Sequence, residues 1–364
     1  MIRRTPAAFA LATIFLAVLL LVGAAGAHAG TLRPPDGRKI RVAVVLTEGA
    51  VVIDYAGPWE VFENVHTGSG DMDQQMTFEL YTVGRDRKPI HTSGGTKPGM
   101  TIIPDYAFSF APAPDVVVVG AQSGADELGA WLRKVHDQHA LIMSVCTGAF
   151  RLAQAGLLDG KPATTHHASL QRLANQYPRI AVQSSVRYVE SDPLIVTAGG
   201  LSSGIDAALH VVELYYGPKV AEATAEYMEY QGQGWKTNMG AGQPQQVLPT
   251  IPLADRARET VWQGTFLPAY PQPEPKVPII VHLAQVNGQY RATMDAPSES
   301  MIGEPLENVR LARGALLFSL PSDHGALDFS GTMTADRISG NLEHDGTSTP
   351  LTLTRARAAT GSTQ

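Results

Sequence analysis

The sequence predicts an α/β fold, a mostly parallel sheet with helices on both faces, followed by a small antiparallel β-sandwich or barrel. Three observations carry this. Apolar, valine-rich runs such as "PDVVVVG" and "ALIMSVC" have the composition of strands buried on both faces. They alternate with amphipathic stretches of helical period such as "ADELGAWLRKVHDQ". Beyond about residue 255 the helix signals stop, and turn residues recur about every ten positions.

In chain order, "KIRVAVVL" (39–46) reads as the first buried strand, and "GPWEVFENV" as a helix with Pro58 near its start. "TFELYTVG" is a second strand, and "HTSGGTKPGMTIIPDYAF" a hairpin-like excursion. "PDVVVVG", the amphipathic helix after it, "ALIMSVC" and the helix "TGAFRLAQAGLL" form the centre of the pattern. "PATTHH" is a short strand end before the helix "ASLQRLANQY"; "VRYVESDPLIVTAGG" is a strand pair. "SGIDAALHVVELYYG" and "PKVAEATAEYMEYQ" are two further helices. These elements define a first domain over 38–231. Residues 232–256, rich in Gly, Gln and Pro without periodicity, read as a linker or wrapping loop. Residues 257–356 form the β-rich domain: Asn287–Gly288 is a strong hairpin signal, and further breaks fall at Arg313–Gly314, Asp323–Gly325, Ala335–Asp336 and Asp345–Gly346. The tail, 357–364, reads as frayed.

The first 29 residues have the parts of a Sec-type signal peptide. Arg3 and Arg4 precede a long apolar run, and Ala27-His28-Ala29 is an A-x-A site. The run is also near spanning length, so an N-terminal anchor is the alternative. The expectation is a periplasmic or secreted protein, with no membrane association once the leader is cleaved. The formal net charge is −6 and no Lys/Arg run is present, which argues against nucleic acid as a partner. Cys146 is the sole cysteine, so no intramolecular disulfide forms. A lone thiol in an oxidising compartment is a liability unless buried or used.

Cys146 lies where a strand ends and the chain turns into a helix, the strand–turn–helix setting of a nucleophile elbow. Ligands of open parallel sheets bind beyond this edge. The following helix aims N–H groups and its positive dipole end at the thiol, which lowers a thiol pKa. The N–H groups around Thr147 suit a developing oxyanion. The strand before His166 and His167 is expected parallel to the cysteine strand, opening on the same edge. Asp54 is placed there by the first strand, where a carboxyl beside the thiol has a raised pKa and passes a proton. The plainer readings are a buried space-filler for Cys146, a helix N-cap for Asp54, and a helix cap or solvent-facing role for the histidines. Asp206 is most simply a first-turn carboxylate. The other histidines show no metal-ligand spacing, and no phosphate loop is present.

Three stretches, "IDYAGPWEVF", "SVCTGAFRLAQAGLLDGKPATTHH" and "VTAGGLSSGIDAALHVVELYYG", together resemble the DJ-1/PfpI superfamily. The resemblance, over roughly 41–231, is closest to its isonitrile hydratase-like branch, which also supplies the sensor domain of AraC-type regulators. It implies a flavodoxin-like sheet, Cys146 as elbow nucleophile, and Asp54 as its acidic partner where other branches carry Glu. Thr147 stands where the peptidase-like branch has His, a departure from a protease. Gly120, Ala121 and Gln122 stand where relatives read Pro-Gly-Gly, in a loop that lends an N–H to the oxyanion site. Ala and Gln tolerate positive φ less readily than Gly, so an altered pocket is expected. The β-rich part resembles an accessory domain of secreted bacterial hydrolases and peptidases, and no helix-turn-helix pair is read in it.

The expected function is therefore an exported, cysteine-dependent hydration or hydrolysis of a small electrophilic carbon in a small-molecule substrate. Cys146, Asp54 and His166 would do the chemistry; Thr147, Gly120, Ala121 and His167 would bind or hold charge. No metal or organic cofactor is implied. Relatives commonly dimerise, which makes a homodimer the expectation by resemblance alone. The rival readings are a non-catalytic binding or sensing protein and a chaperone- or deglycase-like stress protein.

Overall fold

The structure is a computed structural model that describes residues 31–68, 76–95, 97–240, 242–266, 276–299, 301–321 and 325–356. The leader read at 1–29 and the tail read at 357–364 lie outside the described residues.

The strands of the first half are β1 (Ile40–Val45), β2 (Phe78–Gly84), β3 (Ile90–His91), β4 (Thr101–Ile102), β5 (Tyr106–Ala107), β6 (Val116–Val119), β7 (Leu141–Ser144), β8 (Pro162–Ala163), β9 (Ala181–Ser184), β10 (Tyr188–Asp192) and β11 (Ile195–Ala198). A seven-stranded sheet runs in the order β10-β11-β7-β6-β1-β2-β5. All its pairings are parallel except β10–β11, the expected strand pair. Successive side chains of a strand point to opposite faces. Val42, Val44, Val116 and Val118 thus enter one apolar cluster, and Ala43, Val45, Val117 and Val119 the other. All four valines of β6 are buried, each contributing roughly 1.5–3 kcal/mol.

Helices cover both faces. On one side lie α1 (Val52–Glu63), α5 (Ser203–Tyr216) and α6 (Pro218–Tyr227). On the other lie α2 (Asp126–Asp137), α3 (Ala149–Gln154) and α4 (Leu170–Gln176). The α1 helix starts six residues before Pro58, which therefore sits inside it. Proline has no N–H, so the Asp54 carbonyl one turn back gains no helical partner there.

One expected strand falls elsewhere. The short strand of "PATTHH", β8, does not join β7. It pairs with β9 in a separate three-stranded sheet completed by β12 (Gln245–Gln246). The place beside β7 is taken by β11, parallel and wholly buried. A two-residue strand whose Pro162 is itself partly exposed cannot fill a slot that must be apolar and buried on both faces. The Gly/Gln-rich stretch wraps back onto the first half. Its one-turn helix α7 (Gly234–Thr237) buries Trp235 in the same cluster as α5, and β12 extends the small sheet.

The C-terminal half closes as an eight-stranded barrel of β13 (Thr260–Phe266), β14 (Val277–Val286), β15 (Gln289–Ala296), β16 (Met301–Ala312), β17 (Ala315–Leu320), β18 (Leu327–Met333), β19 (Arg337–His344) and β20 (Thr347–Arg355). Every neighbouring pair is antiparallel, and β13 meets β20 to close it. Of the sandwich and barrel alternatives, the chain adopts the barrel. Three two-residue hairpins have both turn residues at positive φ: Asn287–Gly288, Arg313–Gly314 and Asp345–Gly346. That conformation matches the twist of antiparallel strands. Side chains fill the interior, with Trp262 fully buried and the Phe318 and Phe329 rings stacked at 4.6 Å. Asn175 of α4 joins the two halves by donating to the Gly303 carbonyl at 2.7 Å and accepting the Thr250 N–H at 2.6 Å.

Candidate active site

The chain turns out of β7 through Cys146, whose φ is +58°. Non-glycine residues adopt this left-handed conformation only where the surroundings impose it. Here the Cys146 N–H donates to the Gly199 carbonyl at 2.8 Å, and its carbonyl accepts the Thr165 hydroxyl at 2.8 Å. Gly148 lets the turn press onto β6, since a Cβ there would lie 2.0 Å from the Val119 carbonyl oxygen. Gly148→Ala is expected to cost on the order of 3–5 kcal/mol, measured by urea unfolding. Gly129→Ala, in a helix with ordinary space around it, should be neutral or mildly stabilising. Equal midpoints for the two variants would contradict this account of the elbow.

Asp54, in the first turn of α1, is fully buried. It does not cap the helix; its Oδ2 accepts the Ala121 N–H at 2.9 Å, while the Val51 N–H donates back to the Ala121 carbonyl at 2.9 Å. Gly120 permits this closeness: a Cβ there would stand 2.8 Å from the Asp54 Cβ. Gln122 adds a third tie, with its Oε1 accepting the Thr47 N–H at 2.6 Å and its Nε2 donating to the Val45 carbonyl at 3.1 Å. Neither Ala121 nor Gln122 has a positive φ. The departure from Pro-Gly-Gly therefore imposes no backbone strain. The Ala121 N–H orients Asp54 and is not free for an oxyanion, so the expected oxyanion donor at this loop is not met.

Burial pushes the Asp54 carboxyl from its ordinary 3.8 up to about 6, against the opposing pull of the Ala121 N–H and the Cys146 thiol. The thiol acts as a hydrogen-bonding neighbour of this carboxylate, yet no fully aligned bond satisfies the buried Oδ1. The Cys146 thiol is itself raised to about 11, first by burial and then by the Asp54 charge; N–H groups of Thr147 and Leu201 oppose this. The expectation of a lowered thiol pKa is not met. The α3 helix is a short element of six residues, and its field is outweighed by desolvation and the adjacent carboxylate. At neutral pH the pair holds a thiol proton beside an ionised carboxylate.

His166 caps the turn before α4, its Nδ1 accepting the Ala168 N–H at 3.4 Å. Its ring lies against the exposed His167, centroids 4.2 Å apart. The opposite edge faces Gly200, where a Cβ would meet the His166 Cδ2 at 2.2 Å. His166 thus borders the 199–202 loop that receives the Cys146 N–H. Among the described residues the groups acting on the thiol are Asp54 and the N–H groups of Thr147 and Leu201; His166 is not one of them. Burial and His167 lower the His166 pKa, which favours a neutral ring.

Two residues at the site escaped the sequence reading. Leu201 has a φ of +52° and brings its N–H to the sulfur. Arg187 holds the base of the same loop. Its carbonyl accepts the Gly199 N–H at 2.9 Å, its Nε donates to Asp206 at 2.6 Å, and its Nη2 donates to the Ser202 hydroxyl at 3.1 Å. Asp206 also accepts the Tyr230 hydroxyl at 3.1 Å. It stands in the first helical turn as expected, but its work is to fix Arg187.

A strained cysteine after a central strand and a buried acid from the first helix, meeting at the carboxyl edge of a parallel sheet, define an amidotransferase-like α/β protein. The chain belongs to the DJ-1/PfpI family, whose model matches residues 40–214. It is 34% identical over 144 residues to an uncharacterized protein in the cpoL 5′ region of Streptomyces lividans, covering 38% of this chain and 95% of that one. It is 27% identical over 197 residues to an isonitrile hydratase of Pseudomonas putida, covering 52% of this chain and 78% of the relative. It is also 27% identical over 204 residues to the HTH-type transcriptional regulator GbdR of Pseudomonas aeruginosa, covering 54% and 53%. The chain thus spans about half the length of that regulator, and the barrel lies beyond the family match.

Proposed function

We propose that this protein is an exported enzyme that uses Cys146 to hydrate or hydrolyse a small electrophilic carbon, in the manner of isonitrile-to-formamide conversion. The observation that carries the reading is the left-handed Cys146 held beside a fully buried Asp54. The Cys146 thiol gives its proton to the Asp54 carboxylate as the sulfur attacks the terminal carbon of R–N≡C. Asp54 then returns the proton to that carbon, leaving a thioimidate, Cys–S–CH=N–R. Water adds to the thioimidate carbon, the C–S bond breaks, the sulfur recovers a proton, and R–NH–CHO leaves. Thr147 and Leu201 N–H groups favour the negative sulfur on attack and on departure. The orphaned Asp54 Oδ1 supplies a ready proton acceptor, because a buried carboxylate oxygen without a partner gains from any donor brought to it.

Purified protein given cyclohexyl isonitrile is expected to form N-cyclohexylformamide, followed by NMR. Absence of product from a panel of isonitriles, glyoxals and amides would overturn the enzyme reading. The raised thiol pKa favours a second reading, a binding or sensing protein, which the regulator among the relatives also supports. That reading predicts saturable ligand binding with no product. Export rests on the leader's Arg3, Arg4, apolar run and A-x-A site; N-terminal sequencing of the protein from a cell envelope fraction tests it.

A further inference from the structure

We propose that Arg187 is a positioning residue for the Cys146 thiol, and that the segment 230–238, which follows the residues of the family match, completes the site by holding Arg187 in place. The inference rests on Cys146 as the reacting thiol of the proposed function and names a further residue and a further segment for that site.

Leu201 sits between two residues that Arg187 grips. The Arg187 carbonyl accepts the Gly199 N–H at 2.9 Å, and its Nη2 donates to the Ser202 hydroxyl at 3.1 Å. A leucine at a φ of +52° stays there only where its surroundings impose it, and these two ties stand on either side of it. The N–H that this conformation brings to the sulfur favours the thiolate, against the burial and the Asp54 charge that oppose it. Arg187 is held in turn. Its Nε donates at 2.6 Å to the buried Asp206, whose other oxygen accepts the Tyr230 hydroxyl at 3.1 Å. The backbone of α7 lies directly on this pair: a Cβ at Gly234 would stand 2.7 Å from the Asp206 Oδ2 and 2.8 Å from the Arg187 Cγ. The buried Trp235 anchors that helix, and its carbonyl accepts the Tyr188 hydroxyl at 3.1 Å. Asn238 Oδ1 accepts the Tyr188 N–H at 2.9 Å, so the segment is pinned to the residue next to Arg187. Lysine, with a single nitrogen on a flexible stem, does not reproduce a fork that donates to Asp206 and Ser202 at once. The setting of the thiol is thus finished by chain that lies between the α/β domain and the barrel.

The test uses the full-length protein. Cys146 is the only cysteine, so alkylation by iodoacetamide, followed by mass spectrometry, reads this thiol alone. The thiolate is the form that reacts. Arg187→Lys should label about tenfold more slowly than wild type at about pH 8.5, the change in thiolate fraction for a rise of about one unit in pKa. Ser202→Ala and Tyr230→Phe, each losing one hydroxyl, should label about threefold more slowly, and they carry the test should Arg187→Lys fail to fold. Hydrogen exchange at residues 199–202 should rise alongside. The sign separates positioning from looser packing, because a loop that merely opens exposes the thiol and speeds its labelling. Labelling unchanged or faster in the folded variants would overturn the role of Arg187. Slower labelling in Ser202→Ala but not in Tyr230→Phe would overturn the part given to the segment. No turnover is needed, so a wild type that labels in this pattern yet converts no isonitrile would uphold this inference and overturn the enzyme reading alone.

Discussion

Cys146→Ser is expected to lower turnover by roughly 10³-fold or more, the scale seen when a nucleophile is removed from a preorganised site. The fold should persist, because serine fits the same left-handed turn and the backbone bonds to Gly199 and Thr165 involve no side-chain atom of residue 146. The loss comes from chemistry. Asp54, with a pKa of about 6, is too weak a base to take the proton of a serine hydroxyl, whereas a thiol raised to about 11 still lies far nearer to it. His166→Ala, by contrast, should keep turnover within about threefold, as its ring borders Gly200 and does not act on the sulfur. Steady-state rates on one isonitrile, with melting curves beside them, read both. Retention of more than a tenth of wild-type turnover by a folded Cys146→Ser variant would remove the cysteine from the mechanism.

The contrast between Cys146 and His166 also shows what the sequence made legible. The apolar runs "VVVV" and "LIM" announced a sheet buried on both faces, because burial dictates composition there. The Asn-Gly and Asp-Gly pairs announced the hairpins, because a two-residue antiparallel turn demands positive φ. The first strand placed Asp54 on the same sheet edge as Cys146, since strand order within a parallel sheet fixes which ends face the same way. The position of β8 was not legible. Two residues carry no periodicity, and which short segment neighbours β7 depends on competition with β11, a long-range choice. Arg187 gave no local signal either. It becomes part of the site only because its partner Asp206 arrives from a helix nineteen residues on. The direction of the thiol's shift was missed for a different reason. A helix end after a cysteine is visible in sequence, but the burial and the carboxylate that outweigh it are properties of the assembled site.

Asp54→Asn gives the second large effect, and it has opposite signs in rate and in stability. The rate should fall by about 10²–10⁴-fold, the contribution of a positioned proton-transfer group. In wild type, kcat/KM should rise with pH through about 6 as Asp54 loses its proton and becomes able to accept that of Cys146; the variant should lose this limb. Stability runs the other way. The folded carboxyl holds its proton more tightly than the unfolded one, whose ordinary value is 3.8. Between those two pKa values the native state binds the extra proton, so the stability it confers is complete below about pH 3.8 and is lost as pH rises through about 6. The span from 3.8 to about 6 corresponds to about 3 kcal/mol. Asparagine carries no such charge and can still accept the Ala121 N–H. The difference in unfolding free energy between Asp54→Asn and wild type should therefore move by about 2 kcal/mol in favour of the variant between pH 4 and pH 7.5, most of the full span. Urea titrations at the two pH values measure it, with His166→Ala as a comparison at a titratable position outside the pair. A difference that stays constant across that range would mean that the Asp54 carboxyl titrates in the folded protein as it does in the unfolded chain. It would then be no buried acid, and its place as the proton carrier would fall with it.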